Sequence, residues 1–114
     1  MDMRENATVP PVLKRILQEL RLRLEALYGE RLVRLSLYGS QARGESTPGS
    51  DIDVLVVLEG PVSPCAEIAR TVNDVAEICL NHGVVIACVF VSQEAYEHEQ
   101  SPLLLNVRQQ EIAI

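Results

Sequence analysis

Apolar residues recur at three- and four-residue steps early in the chain, at Val12, Leu13, Ile16, Leu17, Leu20, Leu24 and Leu27. That spacing predicts an amphipathic helix with one buried face. Its ends are marked by residue type: Thr8 as a cap ahead of Pro10 and Pro11, which suit a first turn, and Gly29 as the left-handed residue past the end. The period then drops to two. Val33, Leu35 and Leu37 alternate with Arg34 and Ser36, which predicts a strand over Leu32 to Tyr38. From Gly39 to Ser50 the chain holds three glycines, a proline and three serines, a loop with room for one helical turn. Ile52 to Leu58 is almost unbroken in β-branched and aliphatic residues, as in a strand covered on both faces.

Glu59-Gly60-Pro61 breaks that strand, and Ser63 before Pro64 caps a helix through about Asn81, with Ile68, Val72, Val75, Ala76 and Cys79 as its buried stripe. Gly83 ends it. Val84 to Val91 reads as a third strand, Ser92 as the cap of a short acidic helix over Gln93 to Glu99, and Ser101-Pro102 as the start of a last helix. The order helix, strand, strand, helix, strand, helix predicts an α/β (α+β) fold with a small mixed sheet, and residues 1–114 as one domain.

Composition narrows the function. At 114 residues and 47% hydrophobic content the chain can close one modest core. Its formal charge of -6 has the wrong sign for general nucleic-acid binding, so an anionic substrate must be held locally. Aromatic residues make up only 4%, too few for a base-stacking platform. Cys65, Cys79 and Cys88 are odd in number and set among apolar residues, which predicts reduced packing residues and a cytoplasmic location. The longest apolar run, Val54 to Leu58, is far short of the roughly 20 residues that span a bilayer, so no membrane association is expected.

Candidate chemistry lies in the loop and at its end. Asp51 and Asp53 are two apart at the start of a strand, so their side chains leave the same face, about 6.5 to 7 Å apart along the backbone. They can converge on divalent cations, and Mg²⁺ accepts one or two carboxylates while waters and substrate phosphates fill its other positions. Gly39-Ser40, after the first strand, lets a phosphate approach the backbone, and Arg43 in the same loop can neutralise its charge. No Gly-Lys-Ser/Thr follows, so this is not a P-loop. His82 reads as a helix C-terminal residue, and His98 as part of a solvated acidic helix.

Taken together, Tyr38-Gly39-Ser40-Gln41-Ala42-Arg43-Gly44 and Ser50-Asp51-Ile52-Asp53-Val54-Leu55-Val56-Val57 resemble the signature of the minimal nucleotidyltransferases of the DNA polymerase beta superfamily. The resemblance covers most of the chain. It implies that Gly39, Ser40, Arg43 and Ser50 bind the nucleotide and that Asp51 and Asp53 are catalytic and hold Mg²⁺. It also implies transfer of a nucleoside monophosphate, AMP from ATP in the first instance, to a hydroxyl, with release of pyrophosphate. No acceptor domain is expected within the chain. Small members of the family often pair with a helical HEPN-domain protein as antitoxin and toxin, which implies a protein acceptor.

One element of the family pattern is missing. The family mechanism uses a third carboxylate on a neighbouring strand, yet no Asp or Glu lies between Glu77 and Glu94. Strand parity nominates Ala87 as the vacant position, with Cys88 the alternative if the register shifts by one residue. Two functions are therefore expected to compete: a Mg²⁺-dependent nucleotidyltransferase, or a nucleotide- or partner-binding module that has lost turnover. Leu103, Leu104 and Val107, with part of the first helix, are expected to bury against another chain, either a second copy or a partner.

Overall fold

The computed structural model describes residues 9–44 and 51–114. Helix α1 (Pro11–Tyr28) leads through a 3₁₀ turn (Gly29–Arg31) into strand β1 (Leu32–Tyr38) and the short helix α2 (Ser40–Arg43). Strand β2 (Ile52–Leu58), helix α3 (Pro64–His82) and strand β3 (Ile86–Ser92) follow. Helices α4 (Gln93–His98) and α5 (Pro102–Gln110) precede a two-residue strand β4 (Ile112–Ala113). The sheet runs in the order β3-β2-β1-β4, with β2 parallel to β3 and the other two pairings antiparallel. The expected mixed-sheet α/β fold is the one observed.

Both sheet faces are covered, which is why β2 is apolar at nearly every position. Leu35, Leu37, Val54 and Val56 pack beneath α1, with Ile78 of α3 in the same cluster. Leu55 and Val57 face the other way, against Leu104 and Val107 of α5. The expectation that Leu104 and Val107 lie at an interface is thus corrected: they are 2% and 0% exposed, and they close the second layer of the core. Burial of this kind is worth roughly 1.5 to 3 kcal/mol per side chain.

Local details follow residue chemistry. Pro11 occupies the first turn of α1 with Pro10 as the capping residue, while Thr8 lies outside the described residues. Gly29 takes a positive φ of 57° past the end of α1, although not the left-handed helical conformation. Ser92 and Ser101 accept from the amides of Ala95 and Leu104, capping α4 and α5. Ser63 precedes α3 without a side-chain cap. The β1–β2 register shifts between Leu32 and Arg34, so Val33 bulges outward and Leu32, not Val33, packs on the core. On α1, Val12 and Leu27 are exposed and Tyr28 is buried instead.

Helix α3 departs most from expectation. Its buried residues are Glu67, Thr71 and Ile78, while Ile68 and Val72 of the expected stripe are exposed. A polar seam with α1 sets this rotation. Tyr28 donates to Glu67 Oε1 at 2.7 Å, and Arg23 donates to Asp74 at 3.2 Å and Glu77 at 2.9 Å. Turning these groups toward α1 satisfies them and leaves the apolar strip facing outward. Cys65, expected to pack, is likewise exposed. No helix among the described residues is long and apolar enough to cross a membrane.

Candidate functional site

The first strand stops at Gly39, whose φ of 78° and ψ of -157° disfavour any residue with a side chain. Contact reinforces that choice: a Cβ at Gly39 would stand 2.4 Å from Asp53 Oδ2. The glycine therefore lets the turn after β1 press against the Asp53 carboxylate. Ser40 opens α2 immediately afterwards, Arg43 ends it, and Gly44 caps it in the left-handed conformation. The two sequence motifs, separated by the loop, meet at one end of the sheet.

Register sets the neighbours. Asp53 lies opposite Tyr38 on β1 and opposite Ala87 on β3. Paired residues project from the same face, so Ala87 shares the Asp53 face while Cys88 points into the core beneath α3, where burial pushes its thiol up to about 12. Asp53 is half-buried and Asp51 is exposed. Burial, then the Asp51 charge, raises the Asp53 carboxyl above its ordinary value, and Arg43 pulls it part of the way back. Burial, and then the Asp53 charge, likewise raises the Tyr38 phenol. A cation between Asp51 and Asp53 would relieve their mutual repulsion, so this donor pair fits a hard divalent ion that also takes waters and phosphate. No group of three or more His, Cys, Asp and Glu suited to a metal gathers among the described residues. Ala87 offers no ligand.

The structure brings Gly39, Asp53 and Ala87 together, and places Arg43 within electrostatic reach of Asp53. Ser50 lies outside the described residues. His82 is turned to α1 instead, with Nε2 3.2 Å from Glu19 Oε1.

Two contributors were not foreseen. Arg43 donates to Gln110 Oε1 of α5 at 3.0 Å. Next to it, Glu111 accepts from Ser36 Oγ and Arg34 Nε, each at 2.6 Å, and from the Tyr96 hydroxyl. The Glu111 side chain is only 9% exposed, and the Arg34 guanidinium also stacks on the Tyr96 ring. This network fixes the end of α5 to the site face of β1 and so holds Gln110 beside Arg43. Burial alone would raise the Glu111 carboxyl, but hydrogen bonds from Ser36, Tyr96 and Arg34 outweigh it and the net shift is downward. Glu111→Gln is expected to cost about 1 to 3 kcal/mol in urea unfolding. A lowered native carboxyl contributes stability that is present above the ordinary glutamate range and lost as pH falls through its titration, so wild type and variant should converge in acid.

Known proteins share the chain's sequence pattern and its fold. The family model described as "Nucleotidyltransferase domain" matches residues 15–111. The chain is 34% identical to a provisionally named protein adenylyltransferase of Methanocaldococcus jannaschii over 73 residues, 64% of this chain and 67% of that protein. A provisionally named minimal nucleotidyltransferase of known structure matches with a TM-score of 0.56 at 27% identity, covering 89% of this chain and 92% of that one. A toxin-antitoxin structure with AMP-PNP matches with a TM-score of 0.60 at 17% identity, covering 84% of this chain and 69% of that one, a likeness of fold.

Proposed function

The chain belongs to the nucleotidyltransferase domain family, and from that premise we propose that it transfers a nucleoside monophosphate, AMP from ATP, to a hydroxyl of a partner protein. The acceptor oxygen attacks the α-phosphorus, the bond to the bridging β-phosphate oxygen breaks, pyrophosphate leaves, and the hydroxyl proton passes to solvent. The observation that carries the reading is the contact of Gly39 with Asp53, which sets a side-chain-free turn against a carboxylate. Backbone and hydroxyl donors at Gly39, Ser40 and Ser50, with the Arg43 guanidinium, bind and orient the triphosphate. Asp51 and Asp53 hold Mg²⁺, which supplies neutralisation of phosphate charge. Positioning and electrostatics carry the rate, as in other phosphoryl-group chemistry.

A protein acceptor is supported by the name of the Methanocaldococcus jannaschii relative. The toxin-antitoxin neighbour supports a protein partner; a helical HEPN-type toxin as that acceptor, with this chain as its antitoxin, rests on the motif resemblance. Ala87 opposite Asp53 favours a second reading, a nucleotide- or partner-binding module without turnover. Incubating the chain with α-labelled ATP, Mg²⁺ and the co-purifying protein is expected to label that protein and release pyrophosphate. ATP binding without label on any protein selects the binding module. Equal ATP affinity with Mg²⁺ and with chelator would overturn the site assignment itself.

A further inference from the structure

One flank of the fold carries two features that the described residues leave largely open. The first is the outward strip of α3: Ile68 is 51% exposed, Val72 50% and Leu80 83%, with the small Ala69 and Ala76 between them. Asp74 and Glu77 of the same helix are drawn to the α1 seam by Arg23, and Arg70 stacks over Tyr28 there, so the strip is uncharged. The second feature is β3, the end strand of the sheet. Val85 O accepts from Ile52 N at 2.8 Å, which directs the backbone of Val85, and by alternation that of Ala87 and Val89, toward β2. The backbone groups of Ile86, Cys88 and Phe90 therefore point to the open side, where Ile86 N meets Cys79 Sγ at 3.3 Å. A groove of about 260 Å³ joins the strip to the strand.

We propose that this flank is the two-fold interface of a homodimer, with β3 pairing antiparallel to β3 of a second copy and the two α3 strips packing on one another. A bare strand edge is satisfied by another strand, and the strip beside it by an apolar helix at the same offset. A second copy supplies both in that arrangement by symmetry, because a two-fold interface sets the same patch against itself. Charge points to the same occupant. Copies with a net charge of -6 repel one another, yet Ile86 to Ser92 contains no charged residue, and no Asp or Glu occurs between Glu77 and Glu94. Pairing through this strand opposes no carboxylate to another, and Ala69 and Ala76 let the helices approach closely. The interface is a matter of assembly and stands whether or not the chain turns over nucleotide.

The test is sedimentation of the full chain over a concentration series, combined with amide hydrogen exchange. Wild type is expected to dimerise, and the Cys88 and Phe90 amides to gain protection as concentration rises. Val72→Glu places a carboxylate in the strip, and should weaken dimerisation by about a hundredfold or more without changing the circular dichroism. If that variant fails to fold, the wild-type exchange data decide alone. A monomer at every concentration overturns the proposal, including one that captures a different protein on this flank. So does a dimer whose Cys88 and Phe90 amides stay unprotected, or one indifferent to a folded Val72→Glu.

Discussion

Asp53→Asn is expected to reduce Mg²⁺-dependent ATP affinity by more than about a hundredfold, since even supporting contacts around a metal site are worth 10- to 100-fold. Stability should move the other way. The Asp53 carboxyl is raised by burial and by the Asp51 charge, so its ionised form is disfavoured in the folded chain. A raised native carboxyl favours folding below its unfolded titration, and that contribution is lost as pH rises through the native one. At neutral pH the wild type therefore carries the penalty, and Asn, of nearly the same shape beside Gly39, removes it. Thermal unfolding at pH 7 should show the variant as stable as wild type or more so. Calorimetric ATP titrations with Mg²⁺ should show wild-type affinity climbing with pH through the Asp53 titration, and the variant climbing less steeply. A variant that lost binding only because it unfolded would assign Asp53 to the fold instead of the site.

How much of this was legible in sequence depends on the range of the forces involved. Strand β2 and helix α1 announce themselves because each pattern is long and its burial one-sided or total, and the caps at Ser92 and Ser101 act within three residues. Helix α3 was placed correctly but its buried face only in part: Val75 and Cys79 of the expected stripe pack on the core, while Ile68, Val72 and Ala76 face outward. Periodicity finds an apolar stripe but does not say which side is buried, and here the Tyr28–Glu67 and Arg23–Asp74 bonds, 39 and 51 residues apart in sequence, decide it. Strand β4 was not foreseen because two residues carry no period: pairing with Ser36 and Leu37 creates it. In the site, the Gly-Ser and Asp-x-Asp motifs could be read because each is local, and the close approach of Gly39 to Asp53 explains why a glycine stands there. Gln110 and Glu111 left no such trace, since their partners Arg43 and Ser36 lie 67 and 75 residues away.

Ala87→Asp should produce the largest gain. The pairing of Asp53 with Ala87 sets their Cα atoms on adjacent strands, about 4.7 to 4.9 Å apart in a parallel sheet, with both side chains on one face. An aspartate there would add a third carboxylate beside Asp51 and Asp53, able to share a cation and to accept the proton of an attacking hydroxyl. General-base assistance is worth about 10² to 10⁴ in rate, so labelled AMP transfer should rise within that range and Mg²⁺ should bind more tightly. Three clustered carboxylates repel when no cation is present, so the variant should also be less stable in chelator and recover on adding Mg²⁺. Cys88→Asp is the control, one residue along and facing the opposite side. It would bury a carboxylate where the native thiol is already pushed up to about 12 by burial, costing several kcal/mol (about 2 or more) with no gain in rate. If Cys88→Asp accelerated transfer and Ala87→Asp did not, the strand would be shifted by one residue from the register described. If neither altered a wild-type rate that was already high, the proton acceptor would come from the partner, and the reading as a binding module without turnover would fail.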